Sequence, residues 1–333
     1  MWWEARDAAE GELIAEVARL HSRYQEDLHN ATSPWPVRGV GAGSPGEAAT
    51  NDLPTSTVWG WRPLILVDDR AIGSSPATPG RFAFRELDRE SAASQALQDW
   101  QPADDVLIEP VGPIIPAVGA GDSYHPGSGS GSGSATVGLP VMSQSWTGSN
   151  PGSYVIPGFL TVAHGVGPTK SAVTLPGGAT GEVAFKDESA LNAKGGDDIA
   201  LVTLDPPHQM SPWLANQGTH AAPGGPPYAQ LAADLYGGIS KHVLGQVTAV
   251  LLQHGDNTWQ WLDCWELGGV TQPLMQRGDS GALAIDPSAN PCIFGHFVGG
   301  AVALRGTGFT SYWVQDLGRV LGRQSTLAGM IDF

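Results

Sequence analysis

From Ala135 to its C-terminal end the chain is cut into short apolar or alternating segments. Among them are GSYVIPGFLTVAH, GEVAFKD, DIALVTLD, LGQVTAVLLQ, TWQWLDCWEL and CIFGHFVGGAVAL, each bounded by Gly, Pro, Asn or Asp. Segments this short cannot become long helices, and strands closed off by frequent turns predict an antiparallel barrel or sandwich. Composition points the same way. The 333 residues include 45 Gly and 26 Pro but only 15% charged residues, a turn-rich balance unlike that of a helical bundle. With 41% hydrophobic residues the chain can bury real cores, and its length suits about two domains.

The first third reads differently. From Asp7 to Asn30, Leu13, Val17, Leu20, Tyr24 and Leu28 recur at spacings of three and four, which predicts an amphipathic helix packing on its own domain. Residues 31–56 are rich in Pro, Gly, Ser and Thr and read as loop. WGWRPLILVDD and RFAFREL then read as strands, DRESAASQALQDW as a second helix, and DDVLIEPVGPI as a strand running into Pro110, Pro113 and Pro116. Residues 1–112 are therefore expected to form a small α+β accessory or regulatory domain. Residues 113–134, which contain the run GSGSGSGS, are expected to be a Gly/Ser-rich linker, and residues 135–333 a β-rich domain. Between Val314 and Ile331, Leu317, Val320, Leu321 and Leu327 predict a terminal helix.

Charge removes several functions. Seventeen Lys and Arg against 33 Asp and Glu leave a formal charge of −16, the wrong sign for tracking phosphates, so no nucleic-acid partner is expected. The N-terminal stretch MWWEARDAAEGELIAEVARL carries acids where a secretory signal would carry bases. No stretch approaches the apolar length of a membrane span, so the expectation is a cytoplasmic protein without membrane contact. Cys264 and Cys292 suffice for one disulfide at most and agree with a reducing compartment. The histidines show no metal-ligand spacing, and no metal or other cofactor is expected.

Three short motifs carry chemistry. In QRGDSGALAI, Ser280 lies between Asp279 and Gly281, with Gly278 two positions earlier. Such a turn exposes a hydroxyl while aiming the N–H groups of Gly278 and Ser280 at one point, the arrangement that stabilises the oxyanion of an acyl-transfer intermediate. A serine needs a base, normally a histidine, and the histidine needs an acceptor that fixes its tautomer. GFLTVAHGVG sets His164 at the end of an apolar strand, and GGDDIALVTLD sets Asp197 and Asp198 at the head of another.

In this order along the chain, the three motifs resemble those of the chymotrypsin-like (trypsin-like) serine peptidases. The resemblance covers residues 135–333 and implies a mainly β fold of two antiparallel six-stranded barrels with a C-terminal helix, behind the small α+β domain. It implies Ser280 as nucleophile, His164 as general base and then acid, Asp198 as its orienting carboxylate, and Gly278 and Ser280 as the oxyanion hole. Asp198, directly before the Ile-Ala-Leu stretch, is preferred to Asp197, which reads as a solvated loop charge. The partners implied are a peptide or protein substrate and an activating protein. Asp279 calls for a cation from among Arg277, Arg305, Arg319 and Arg323.

The same resemblance assigns substrate binding to Leu274, Phe297, Gly299 and Gly300. Leu274 removes the charge that would hold a basic side chain, so an apolar or small one is expected. His296 invites comparison with glutamyl endopeptidases, although the register matches their histidine to Phe297. The activity expected is that of a serine endopeptidase regulated by its N-terminal domain or a partner. The alternative is a latent or catalytically inactive trypsin-like scaffold.

Overall fold

A computed structural model of the chain describes residues 8–30, 35–45, 61–73, 80–116, 125–126, 135–144, 155–175, 178–191, 195–206, 232–237, 241–255, 258–268, 275, 278–285, 293–302 and 309–332. Helix α1 (Ala8–Asn30) buries Leu13, Val17, Leu20 and Tyr24, the face that the spacing predicts. It does not pack on its own domain alone. Leu13 and Val17 enter a core with Val247, Trp265 and Phe297, whereas Leu20 packs with Val37, Ile65 and Trp100.

Strands β1 (Val37–Gly43), β2 (Arg62–Asp68) and β3 (Phe82–Ala83) are followed by helix α2 (Ala92–Leu97) and strand β4 (Leu107–Val111). β1 lies in the stretch read as loop. Its glycines are the reason it can pair on both edges: a Cβ on Gly39 would stand 2.6 Å from Cβ of His254, and one on Gly41 would stand 2.6 Å from Leu252 Cδ2. The strand expected over RFAFREL ends at Ala83, where the chain turns into a short 3₁₀ helix. Ser91 caps α2 by accepting from the Ser94 N–H at 3.1 Å.

Two short strands, β5 (Ile114–Pro116) and β6 (His125–Pro126), fall within the expected linker, so that stretch is not uniformly a free tether. β7 (Pro140–Gln144), β8 (Val155–Thr161), β9 (Ala172–Thr174), β10 (Thr180–Asp187) and β11 (Ile199–Leu204) come next. β12 (Ala232–Gly237), β13 (Lys241–Gly255), β14 (Gln260–Gly268), β15 (Leu283–Ile285), β16 (Ile293–Val302) and β17 (Phe309–Asp316) follow. α3 (Leu317–Arg323), α4 (Ser325–Ala328) and β18 (Ile331–Asp332) close the described chain. The terminal helix therefore begins after Asp316, whose carboxylate caps it by accepting from the Arg319 N–H, and it is divided at Gln324.

The protein is mainly β, and among the described residues the expected pair of six-stranded barrels is not seen as two closed barrels. Among the described residues one sheet is an open path of seven strands, β18-β7-β8-β11-β10-β9-β6. The other has 11 strands. Within it, β12 pairs with both β13 and β15, so that β12, β15, β16, β17, β14 and β13 pair in a cycle. β1 extends this sheet from β13, with Gly39 opposite His254, and carries β2, β4 and β3 outward. The N-terminal strands thus continue the larger sheet instead of forming one of their own.

A core of Phe159, Val183 and Val202 from the seven-stranded sheet and Leu252, Trp261, Val298 and Trp313 from the other joins the two, with Leu64 and Leu107 of the N-terminal strands packed in. The three chemical motifs meet beside this junction.

Candidate active site

β8 and β11 are antiparallel neighbours with Thr161 opposite Ala200. His164, in the 3₁₀ turn just after β8, therefore comes beside Asp198, just before β11. The backbone N–H of His164 donates to Asp198 Oδ1 at 2.9 Å, and the ring Nδ1 lies 2.5 Å from Oδ2. With the proton on Nδ1, facing the carboxylate, Nε2 is left to accept from the Ser280 hydroxyl, 2.9 Å away. Asp198, His164 and Ser280 form one hydrogen-bonded line.

The serine turn is shaped by two glycines. Gly278 and Gly281 have φ of +99° and +91°, backbone that side chains resist, and a Cβ on Gly281 would stand 2.5 Å from Thr161 Oγ1. The turn is then sewn to its surroundings. Gly281 N–H donates to Phe297 O at 2.8 Å and Thr136 N–H to Ser280 O at 2.6 Å, while the Thr136 hydroxyl donates to Gly278 O at 3.1 Å. Nothing in the sequence marked Thr136.

Asp198 is wholly buried, and burial is the largest influence on its carboxyl, pushing the pKa up. The His164 charge and the hydrogen bonds from His164 and Trp261 outweigh that push and hold it below its ordinary value. The Trp261 indole N–H donates to Oδ2 at 3.0 Å. Gln315 braces the backbone, accepting from Asp198 N–H at 3.0 Å and donating to Gly196 O at 2.9 Å. The alternation of Trp259 and Trp261 is visible in the sequence, but the target of an indole N–H is not. Trp259 stacks on Trp261 at 5.6 Å and meets the His164 ring edge-on at 5.6 Å.

Behind them sits His254, its ring 4.2 Å from that of Trp313 and its pKa pushed down to about 3 by burial. His296 is buried too, pushed down to about 4, and its Nε2 lies 3.1 Å from Asp198 O. It faces the carboxylate's own backbone.

Asp197 is a correction. It is buried, not a solvated loop charge: Arg323 pairs with Oδ1 at 2.5 Å and Gln324 donates to Oδ2 at 2.9 Å. Arg319 and Arg323 both bind Asp263, while Arg277 and Arg305 lie outside the described residues. Phe297, Gly299 and Gly300 are buried along β16, and Leu274 lies outside the described residues. Cys264 is a free thiol whose pKa burial pushes well up, and Cys292 lies outside the described residues. Among the described residues no group of His, Cys, Asp and Glu could hold a metal, and no helix is long and apolar enough to cross a membrane.

No family model and no curated protein sequence matches the chain. Among solved structures, a chymotrypsin from Cellulomonas bogoriensis is 18% identical, with 64% of this chain and 97% of that one covered at a TM-score of 0.44. A Nocardiopsis protease is 17% identical, with 62% and 95% covered at 0.42. A glutamic acid-specific serine protease described as using a histidine triad in substrate binding is 15% identical, with 64% and 99% covered at 0.42. Likeness at this level carries no weight for function, which rests on the geometry above.

Proposed function

We propose that this chain is a serine endopeptidase that cleaves peptide bonds through an acyl-enzyme on Ser280. The observation that carries the reading is the unbroken line from Asp198 through His164 to Ser280, with contacts of 2.5 and 2.9 Å. His164 takes the hydroxyl proton as Ser280 Oγ attacks the scissile carbonyl, then gives it to the leaving amine. Water enters by the same route to release the acid. Asp198 keeps the ring oriented and stabilises the imidazolium, and the backbone N–H groups of Gly278 and Ser280 receive the oxyanion. Leu274, Phe297, Gly299 and Gly300 contact the substrate, and no cofactor enters.

Burst kinetics with a small activated ester test this. Release of about one leaving group per chain before the steady state is expected, and its loss in Ser280→Ala. A burst that survives in Ser280→Ala would overturn the assignment.

A specific observation favours a latent form of the enzyme. Ser280 has no exposed surface, and the His164 side chain is only 1% exposed.

A further inference from the structure

The serine turn leaves one edge of β16 at a definite point. β15 pairs with β16 as far as Leu283 opposite His296, and the ladder continues with Phe297 N–H donating to Ala282 O and Gly281 N–H to Phe297 O, both at 2.8 Å. At Ser280 that chain turns away, so the same edge beyond Phe297 is open to another strand. β17 holds the opposite edge, with Gly299 facing Trp313, Gly300 facing Tyr312 and Ala301 facing Ser311.

The vacated edge is filled by the protein itself. β5 pairs antiparallel with β16, Ile114 opposite Ala301, Ile115 opposite Gly300 and Pro116 opposite Gly299. Its polarity matters. The segment runs from Ala301 toward Phe297, hence toward the serine turn, the direction in which an acyl donor must run to bring a carbonyl to Ser280. Two adjacent glycines on β16 let a backbone come close there.

We infer that Ile114–Pro116, paired along the β16 edge at Gly299–Ala301, occupies the cleft in substrate polarity and holds the enzyme latent. This rests on the proposed peptidase reading and names the regulation of its cleft. Pairing of main chain with main chain supplies affinity with little regard for side chains, as in other cases of strand addition.

The sequence is built for occupancy. Only Gly112 and Pro113 separate β5 from β4, and β4 is fixed by parallel pairing with β2 from Leu64–Leu107 to Asp68–Val111. A link this short gives an effective concentration on the order of millimolar or more. Pro116 biases Ile115 toward extended backbone before it docks, which lowers the ordering cost. The burial of Ser280 and His164 agrees with a filled cleft.

The test compares two serine reagents on the full-length wild type and on Ile115→Pro, which removes the backbone N–H opposite Gly300. One is a small fluorophosphonate, which needs only Ser280 and the oxyanion hole. The other is a peptidyl diphenyl phosphonate with three apolar residues, which also needs the β16 edge. If the edge is open about a tenth of the time or less, Ile115→Pro should speed the peptidyl reagent about tenfold or more, beyond any change with the small one. Equal peptidyl rates in the two proteins, with Ser280 labelled in both, would overturn self-occupancy and leave the peptidase reading standing. Failure of both reagents on folded wild type and variant would instead overturn the peptidase reading.

Hydrogen exchange on the wild type needs no substitution and decides the matter if the variant does not fold. After the peptidyl reagent has reacted, the amides of Ile114 and Ile115 should lose protection while those of Gly299–Ala301 keep it. Undiminished protection at Ile114 and Ile115 would contradict displacement.

Discussion

Two buried acidic clusters in this molecule solve the same problem in opposite ways. At the first, Asp198 is a single carboxylate approached by donors: the His164 backbone, the His164 ring and the Trp261 indole. At the second, two carboxylates share one guanidinium, Arg81 pairing with Glu109 at 2.7 Å and also with Glu266. Thr248 adds a hydroxyl donor to Glu266 at 2.9 Å, and Arg81 also donates to Ser44 O at 2.8 Å. Donors hold Asp198 ionised despite burial. Around Arg81 one cation faces two acids, and burial, with the charge of Glu266 adding to it, pushes Glu109 up to about 8. Burial alone does not decide whether a carboxyl is charged; the ratio of donors to acids does. The first cluster is fit for chemistry, and the second fastens β4 to β14.

Replacing Asp198 by Asn should break this comparison most severely. The amide keeps the volume but lets the His164 ring settle in the wrong tautomer, and a loss of about 10⁴ in kcat is expected with little change in fold. Steady-state kinetics alongside circular dichroism checks it, and near-normal turnover would remove Asp198 from the mechanism. Arg81→Met attacks the other cluster. Stripping the shared cation from two buried acids should destabilise the fold by about 3–5 kcal/mol, measured by urea unfolding. A loss within error of zero would mean that the acids are solvated.

Trp261→Phe sharpens the comparison because it removes one donor and keeps the ring. Loss of a hydrogen bond to a buried charge should cost about 1–3 kcal/mol in stability. The readout specific to positioning is kcat, which should fall while KM is kept. A purely structural role would lower stability and leave kcat of the folded protein in place.

The effect spread over the widest pH range is at Glu109. Its folded pKa lies above its unfolded one, so between about 4.5 and 8 the folded state keeps a proton that the unfolded state has lost. Stability from this group is complete below that window and is lost as pH rises through it, at no more than about 1.4 kcal/mol per pH unit. Glu109→Gln should flatten the decline in a pH series of unfolding curves. An unchanged slope would assign the decline to other groups.

The parts of this picture that the sequence discloses are those that depend on local pattern. The period of Leu13, Val17, Leu20 and Tyr24 fixes the inner face of α1, and apolar runs ending at His164 and beginning after Asp198 locate two strand ends. What stays hidden depends on partners distant in the chain. β1 reads as loop because its glycines carry no hydrophobic signal, yet they are what lets it fit against β13. Asp197 reads as surface because nothing local announces Arg323, 126 residues away. Trp261 and Gln315 look like ordinary strand residues until the fold aims them at Asp198. The segment Ile-Ile-Pro reads as the start of a tether, and only the β16 register shows where it lies.

The most direct test of the central claim is intact-mass analysis after exposure to a small fluorophosphonate, applied to the wild type, Ile115→Pro, Ser280→Ala and His164→Ala. The account expects one adduct per chain that maps to Ser280, forms in both the wild type and Ile115→Pro, is absent in Ser280→Ala and slows greatly in His164→Ala. A folded Ile115→Pro protein that takes no adduct, or an adduct that persists in Ser280→Ala, would contradict it.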